Sequence, residues 1–409
     1  MTTICMTVWN TFLNDARVLK EAQTLSASGY RVTVIAVHVK SQTERQEELP
    51  GGIRVLRVEK SLPLFLSPLH GLYRRLFPHR QVMHASGGGR QGSPRKGLRI
   101  ATRIGAAMAI LRMAYAAWRE NADIYHAHDA NTLLMGWTAA RLRQAKLVYD
   151  AHEISTDREG YGFLRHVVRW LERWLTPRVE AMITTTDLRA DHFVEAYGCR
   201  RPLVLQNRPR FAPPPERGAL RTRLNLPPDR FLALYQGGVQ PGRGLRNIVR
   251  LAARVPEATF VFIGDGRQAP ELRALVKELG VEERVHFVPT IPLAELPRYT
   301  VDADVGLQVL RNTCLNHWTT DSNKLFEYIM AGVPVIASDF PEIRRVVSDG
   351  PVGILVDPED LSGMEAAVRK MMTDEPFRRL CRENCRARAE KWSWEAQEGE
   401  LVALYRGLG

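Results

Sequence analysis

Short apolar runs alternate along the chain with longer segments whose apolar residues recur every three or four positions. In the first half, runs at 3–8, 31–37, 53–58, 124–128, 146–150, 181–185 and 203–206 read as strands. Between them, 15–28 places Val18, Leu19, Ala22 and Leu25 at helical spacing and stops at Gly29, and 132–143 forms a second helix. Residues 208–227 interrupt the alternation, being dense in proline and charge, and read as a linker. Strands are expected again at 231–235, 259–263, 285–288, 303–310, 333–337 and 353–356, with a last helix at 394–408. Strands followed by helices throughout predict an α/β protein.

The densest local signal is Asn323-Lys324-Leu325-Phe326-Glu327-Tyr328-Ile329-Met330-Ala331-Gly332-Val333-Pro334-Val335-Ile336-Ala337-Ser338. Asp321 or Ser322 supplies an N-cap, Gly332 a left-handed stop, and Pro334 prevents continuation. The following run is short, apolar and β-branched, as a buried parallel strand requires. In such a βαβ unit the helix N-terminus lies at the carboxyl edge of the sheet, where unpaired N–H groups and the helix dipole favour an anion. Lys324 in the first turn opposes that dipole unless an anionic ligand lies nearby. Glu327, nearly one turn later, can accept hydroxyl hydrogen bonds; on sequence grounds alone it reads equally as a solvated carboxylate. A second strand-to-helix turn, Gln236-Gly237-Gly238-Val239-Gln240-Pro241-Gly242-Arg243-Gly244-Leu245, brings backbone and the forked cation Arg243 within reach of phosphate.

At 409 residues the chain exceeds one ordinary core, so two domains are expected: 1–207, then the 208–227 linker, then 228–392, with 393–409 returning to the first. No apolar run reaches the roughly 18 residues of a membrane span. The N-terminus enters a strand with no charged leader, so no signal peptide is expected. Five scattered cysteines suit reduced thiols and a cytoplasmic setting, and no metal site is expected. The net charge of +12 is concentrated: 60–119 holds eleven Lys and Arg and no acid, while the remainder carries 46 basic and 45 acidic residues. That segment interleaves leucines and aromatics with arginines and then turns glycine-rich. A helix is expected from 98 to 120, with Arg99, Arg103 and Arg112 interrupting its apolar face. Such a surface suits peripheral contact with an anionic bilayer, each cation contributing about 1 kcal/mol; no nucleic-acid motif accompanies it.

Taken together, 235–245, Gly264-Asp265-Gly266, Asp302-Ala303-Asp304 and Asn323-Lys324-Leu325-Phe326-Glu327-Tyr328 resemble the donor domain of family-4 glycosyltransferases of the GT-B fold. Asn14-Asp15-Ala16-Arg17-Val18-Leu19-Lys20-Glu21-Ala22, His126-Ala127-His128-Asp129, Tyr149-Asp150-Ala151-His152-Glu153 and Ser393-Trp394-Glu395 resemble the rest of that family. The resemblance implies two Rossmann-like domains facing each other across a cleft, a UDP- or GDP-sugar donor, a retaining reaction and no required cofactor. It implies that Glu327 holds the donor ribose, and that Arg243 stands where a diphosphate-binding Lys is usual. It implies donor contacts at Gly237, Gly238, Gly264, Thr290, Thr319, Asp321, Ser322, Asn323, Lys324 and Leu325. The family usually carries Arg at the position of Gly238 and often a sugar-facing Glu at that of Thr319; Asp321 or Lys324 is the candidate substitute. His152, Arg243 and Lys324 are the expected catalytic groups. Asp15, Arg17, His128, Asp129 and His152 are the expected acceptor contacts, although Asp15 and Asp129 also suit helix caps. A glycan on a lipid carrier is the acceptor expected, at the inner face of the cytoplasmic membrane, in surface-polysaccharide synthesis. A nucleotide-sugar epimerase of similar fold and a non-catalytic nucleotide-sugar-binding protein are the alternatives.

Overall fold

A computed structural model describes residues 1–59, 96–157 and 165–409. Residues 60–95 of the expected basic segment lie outside the described residues. The helix expected from 98 is present as Lys96–Glu120. Arg112 donates to the Glu59 carbonyl at 3.0 Å.

Two sheets organise the chain. The first comprises β1 (Thr3–Thr7), β2 (Arg31–His38), β3 (Gln46–Leu49), β4 (Ile53–Glu59), β5 (Ile124–His128), β6 (Lys146–Ala151), β7 (Ala181–Thr184) and β8 (Leu203–Val204). Its order is β3-β4-β2-β1-β5-β6-β7-β8. The second comprises β9 (Phe231–Gln236), β10 (Ala258–Ile263), β11 (Val285–Val288), β12 (Val305–Gln308), β13 (Val335–Ser338) and β14 (Gly353–Val356), in the order β11-β10-β9-β12-β13-β14. Every ladder of the second sheet is parallel. Parallel strands must be covered on both faces, and β9 shows how: Ala233 and Tyr235 join one buried cluster while Leu232 and Leu234 join the other.

Compact packing divides the chain into one unit of Met1–Leu13 with Leu25–Tyr149 and a second of Asn14–Thr24 with Asp150–Gly409. The second unit thus includes most of the first helix, Ala16–Ala27. Within it the C-terminal segment is tied to that helix: the Trp394 indole N–H donates to Thr24 Oγ1 at 2.8 Å, and Thr24 donates to Glu398 at 2.6 Å. The final helix is Glu398–Leu408, shorter than expected. Instead of entering a helix, Trp394 donates its backbone N–H to the Pro209 carbonyl. The 208–227 stretch also contains a short helix, Ala219–Leu224. Asp302 anchors it, its carboxylate accepting the N–H groups of Gly218, Leu220 and Arg221. Asp302 therefore serves as a backbone cap.

In both sheets the chain reverses direction across the sheet, between β1 and β5 in one and between β9 and β12 in the other. Crevices that bind ligands in open α/β sheets form at the carboxyl ends of strands flanking such a reversal.

Candidate active site

β9 ends at Gln236 and turns at Gly237 against the turn after β10. The backbone N–H of Gly237 donates to the Ile263 carbonyl at 2.9 Å. At Gly264, φ is 134° and an added Cβ would stand 2.2 Å from the Gly237 carbonyl oxygen, so only glycine fits. Lys324 lies over this turn. Its ammonium is 5.2 Å from the Tyr235 ring centroid, and a Cβ on Gly237 would sit 3.3 Å from the Lys324 Nζ.

Lys324 comes from the first turn of the helix Asn323–Met330, whose N-cap Ser322 has φ 60° and makes no side-chain cap bond. Gly332 ends the unit at φ 67°. Lys324 is only 8% exposed. Burial brings its ammonium down to about 7, the Arg243 charge adds to the effect, and Glu327 opposes it. Among the described residues, Arg243 makes no hydrogen bond or ion pair. Glu327 is held by Gln236, whose amide donates to Glu327 Oε2 at 2.6 Å. The orientation of that amide is fixed in turn, because Gln236 Oε1 accepts from the Thr300 hydroxyl at 2.8 Å. A half-buried carboxylate and two cations therefore surround a glycine turn at the switch point of the second sheet.

The remaining donor positions expected from the sequence divide into two groups. Ser322 and Asn323 lie at the helix start, Leu325 is fully buried in the core, and Gly238 lines the turn without steric demand on a side chain. Thr290 binds Asp265 through both its N–H, at 3.0 Å, and its hydroxyl, at 2.9 Å. Those two bonds hold the Asp265 carboxyl below its ordinary range. Thr319 is buried: its hydroxyl donates to Leu315 O at 2.9 Å and accepts from Arg189 Nε at 3.3 Å. Asp321 is also buried and accepts from the Gln206 amide at 2.7 Å. Burial raises its carboxyl pKa, against the pull of Arg189. Thr319 and Asp321 thus brace the approach to the helix.

Arg17, in the first helix, is 3% exposed and forks onto Asp150, with Nε–Oδ2 at 2.8 Å and Nη2–Oδ1 at 2.9 Å. It also donates to Leu205 O at 2.6 Å and lies 3.1 Å from Glu21. Burial, followed by the Asp150 charge, pushes the Glu21 carboxyl well up. His152 Nε2 is 3.0 Å from Asp150 Oδ2, so Asp150 joins Arg17 to His152. Asp15 caps the helix, accepting from Val18 N at 3.2 Å. In the other unit, His128 is buried at the end of β5 with its ring 4.0 Å from that of His126. Asp129 occupies the N-cap position of the helix Ala130–Arg143 at φ 63° but makes no side-chain cap bond. A non-glycine residue held there is strained, a feature that concentrates at functional sites.

Two sequence profiles match: "Glycosyl transferase 4-like domain" over residues 15–210 and "Glycosyl transferases group 1" over 216–388. The chain belongs to glycosyltransferase family 4, of the GT-B fold. A D-inositol 3-phosphate glycosyltransferase of Thermomonospora curvata is 28% identical over 315 residues, 70% of this chain and 71% of that protein. Sucrose-phosphate synthase from Thermosynechococcus elongatus superposes with a TM-score of 0.75 at 19% identity, covering 100% of this chain and 99% of that one. Anabaena Alr3699/HepE in complex with UDP-glucose gives a TM-score of 0.73 at 17% identity, with 100% of both chains covered.

Family membership does not bring out three further side chains of this site. Gln236 is the group that sets Glu327. Lys20, one turn after Arg17, is buried; it donates to Asn207 Oδ1 at 2.8 Å and lies 5.3 Å from the Trp394 ring centroid. Burial, with the Arg17 charge, lowers its pKa to about 7, while Glu327 opposes that shift. Arg189 binds the carbonyls of His152 (2.6 Å) and Asn316 (3.0 Å), fixing both segments. Lys20 stood inside the motif at 14–22, so its position was available from sequence. Gln236 likewise stood at the head of the 236–245 turn, whereas nothing local marks Arg189.

Proposed function

We propose that this glycosyltransferase takes a sugar from a UDP- or GDP-sugar and transfers it, with retention, to a lipid-linked glycan in bacterial surface-polysaccharide assembly. The observation that carries the reading is the grouping of Glu327, Lys324 and Arg243 around the Gly237 turn. Glu327 accepts the ribose hydroxyls; Arg243 and Lys324 meet the diphosphate, with Gly237, Gly238 and Gly264 allowing its close approach. Charge on the leaving group is met by side-chain cations, so the reaction runs without a bound metal. Bond breaking at the anomeric carbon sends the electron pair to the departing phosphate oxygen. The acceptor hydroxyl attacks on the same face and passes its proton to that oxygen. His152, oriented by Asp150, serves the transferred sugar, and His128 and Asp129 the acceptor. Residues 1–207 form the acceptor domain and 228–392 the donor domain.

No described helix is long and apolar enough to cross a membrane. The basic 60–119 segment supports peripheral attachment at the inner face of the cytoplasmic membrane, where a lipid-linked acceptor would be met.

A panel of nucleoside diphosphates tests the donor assignment. UDP or GDP should raise the melting temperature, and Glu327→Ala should weaken that nucleotide by about 1.5–3 kcal/mol, the range for hydrogen bonds to a charged group. Unchanged affinity in the variant would remove Glu327 from the site. Product analysis with the matching nucleotide sugar then separates transfer from epimerisation or simple binding.

A further inference from the structure

We propose that the helix Arg165–Leu175 is a membrane seat, lying in the headgroup layer of an anionic bilayer. This rests on the reading of the protein as peripherally attached, and it adds to the basic 60–119 segment a second contact surface.

The helix reads Arg-His-Val-Val-Arg-Trp-Leu-Glu-Arg-Trp-Leu. Its inner face is committed to the fold. Leu175 is fully buried, and Glu172, the only acid in the helix, is fully buried and accepts from the Tyr197 hydroxyl at 2.9 Å. Turning that acid inward leaves an outer face of aromatic, aliphatic and basic groups. Val167 is 53% exposed, Trp170 65% and Trp174 36%. The two indoles stack with centroids 6.2 Å apart and planes 7° from parallel.

Arginines border this stripe. Arg169, Arg173 and Arg178 are exposed, and Arg178 lies 5.2 Å from the Trp174 ring centroid. Among the described residues none of the three is in an ion pair. Some exposed arginines of the same unit are paired, as Arg201 is with Asp187 and Asp191, and others, such as Arg250, Arg267 and Arg379, are not paired among the described residues; what sets these three apart from the rest, Arg169, Arg173 and Arg178, is the aromatic stripe they border. An aromatic stripe edged by unpaired cations is what an interfacial helix presents to lipid: indoles settle at headgroup level while arginines meet phosphate. The helix is seated in the fold through buried Leu175 and through Glu172, which accepts from Tyr197 at the end of the neighbouring helix Asp187–Tyr197.

The test is co-sedimentation of the full chain with vesicles of phosphatidylcholine alone and of phosphatidylcholine mixed with phosphatidylglycerol. The wild type should bind the mixed vesicles, more weakly as salt rises. Trp170→Ser with Trp174→Ser should reduce partitioning by about tenfold or more. Arg169→Gln with Arg173→Gln should reduce the preference for the anionic vesicles by several-fold, the basic 60–119 segment retaining the rest. Nucleotide-dependent melting should stay at the wild-type value in both variants, because the altered side chains are exposed. Quenching of wild-type tryptophan fluorescence by brominated acyl chains, absent from Trp170→Phe with Trp174→Phe, gives a readout that does not depend on pelleting. Undiminished binding by the serine variant would overturn this assignment and leave attachment through another surface. Failure of the wild type to bind anionic vesicles would overturn attachment itself. Loss of self-association instead of lipid binding in the serine variant would make the stripe a contact between copies of the chain.

Discussion

Lys324 permits a test of the donor site through protons. Its ammonium is held to about 7, from an ordinary 10.5, by burial and then by Arg243. Above neutral pH the unliganded protein therefore carries this side chain mostly uncharged. A diphosphate beside Lys324 and Arg243 favours the charged form, so the bound state has the higher pKa and binding takes up a proton. Affinity is then full below about pH 7 and falls by up to about tenfold per unit as pH rises, until the bound pKa is reached. From about pH 7.5 to about pH 9, above the second phosphate ionisation near 6, the loss reaches about 25-fold. Lys324→Gln should bind more weakly near pH 7, by about 1.5–3 kcal/mol, and should show little decline over the same window. Isothermal calorimetry with UDP and GDP, repeated in buffers of different ionisation heat, measures both the slope and the proton uptake. A wild-type affinity that stays constant across the window, or the same decline in Lys324→Gln, would refute the placement of this lysine against the diphosphate. Stability of the unliganded protein should move in the opposite direction. Because the folded pKa is depressed, the unfolded chain binds more protons between about 7 and 10, and stability rises with pH there.

Two further substitutions probe the scaffold. Arg17→Ala leaves the fully buried Asp150 without its forked partner and should cost about 3–5 kcal/mol, read as a lowered denaturation midpoint; a loss below about 1 kcal/mol would mean that Arg17 is spent on a ligand instead. Gly264→Ala forces a Cβ onto the Gly237 carbonyl at a φ of 134° and should cost about 1–3 kcal/mol while weakening nucleotide binding; wild-type melting and affinity would show that the two turns can move apart.

The helix Asn323–Met330 was legible because each of its signals is local. Gly332 takes the left-handed angle expected of it, and the Val333 N–H closes the helix end on the Tyr328 carbonyl at 2.9 Å. That closure, with Pro334 next, delays β13 to Val335–Ser338, two residues later than the apolar run begins. β3, Gln46–Leu49, is polar and pairs only along the edge of β4, antiparallel, so no hydrophobic alternation announced it. Arg165–Leu175 and Asp187–Tyr197 escaped the strand-and-helix reading, although the first carries a strong amphipathic pattern. Thr319 and Asp321 read as donor contacts through the family resemblance alone; no local pattern announced their burial, or the Arg189 and Gln206 side chains that bond them.

The sequence by itself determined the alternation of strand and helix, the family and the place of the helix that carries Lys324 and Glu327. Those features depend on side-chain periodicity, caps and stops, whose physics acts over a few residues. The tertiary structure decided which groups act together. Gln236 reaches Glu327 across 91 positions, Arg17 meets Asp150 across 133, and Gln206 meets Asp321 across 115. Such pairs, and the depressed lysine pKa values that accompany them, arise from burial and from charges brought near by packing, which no local pattern encodes.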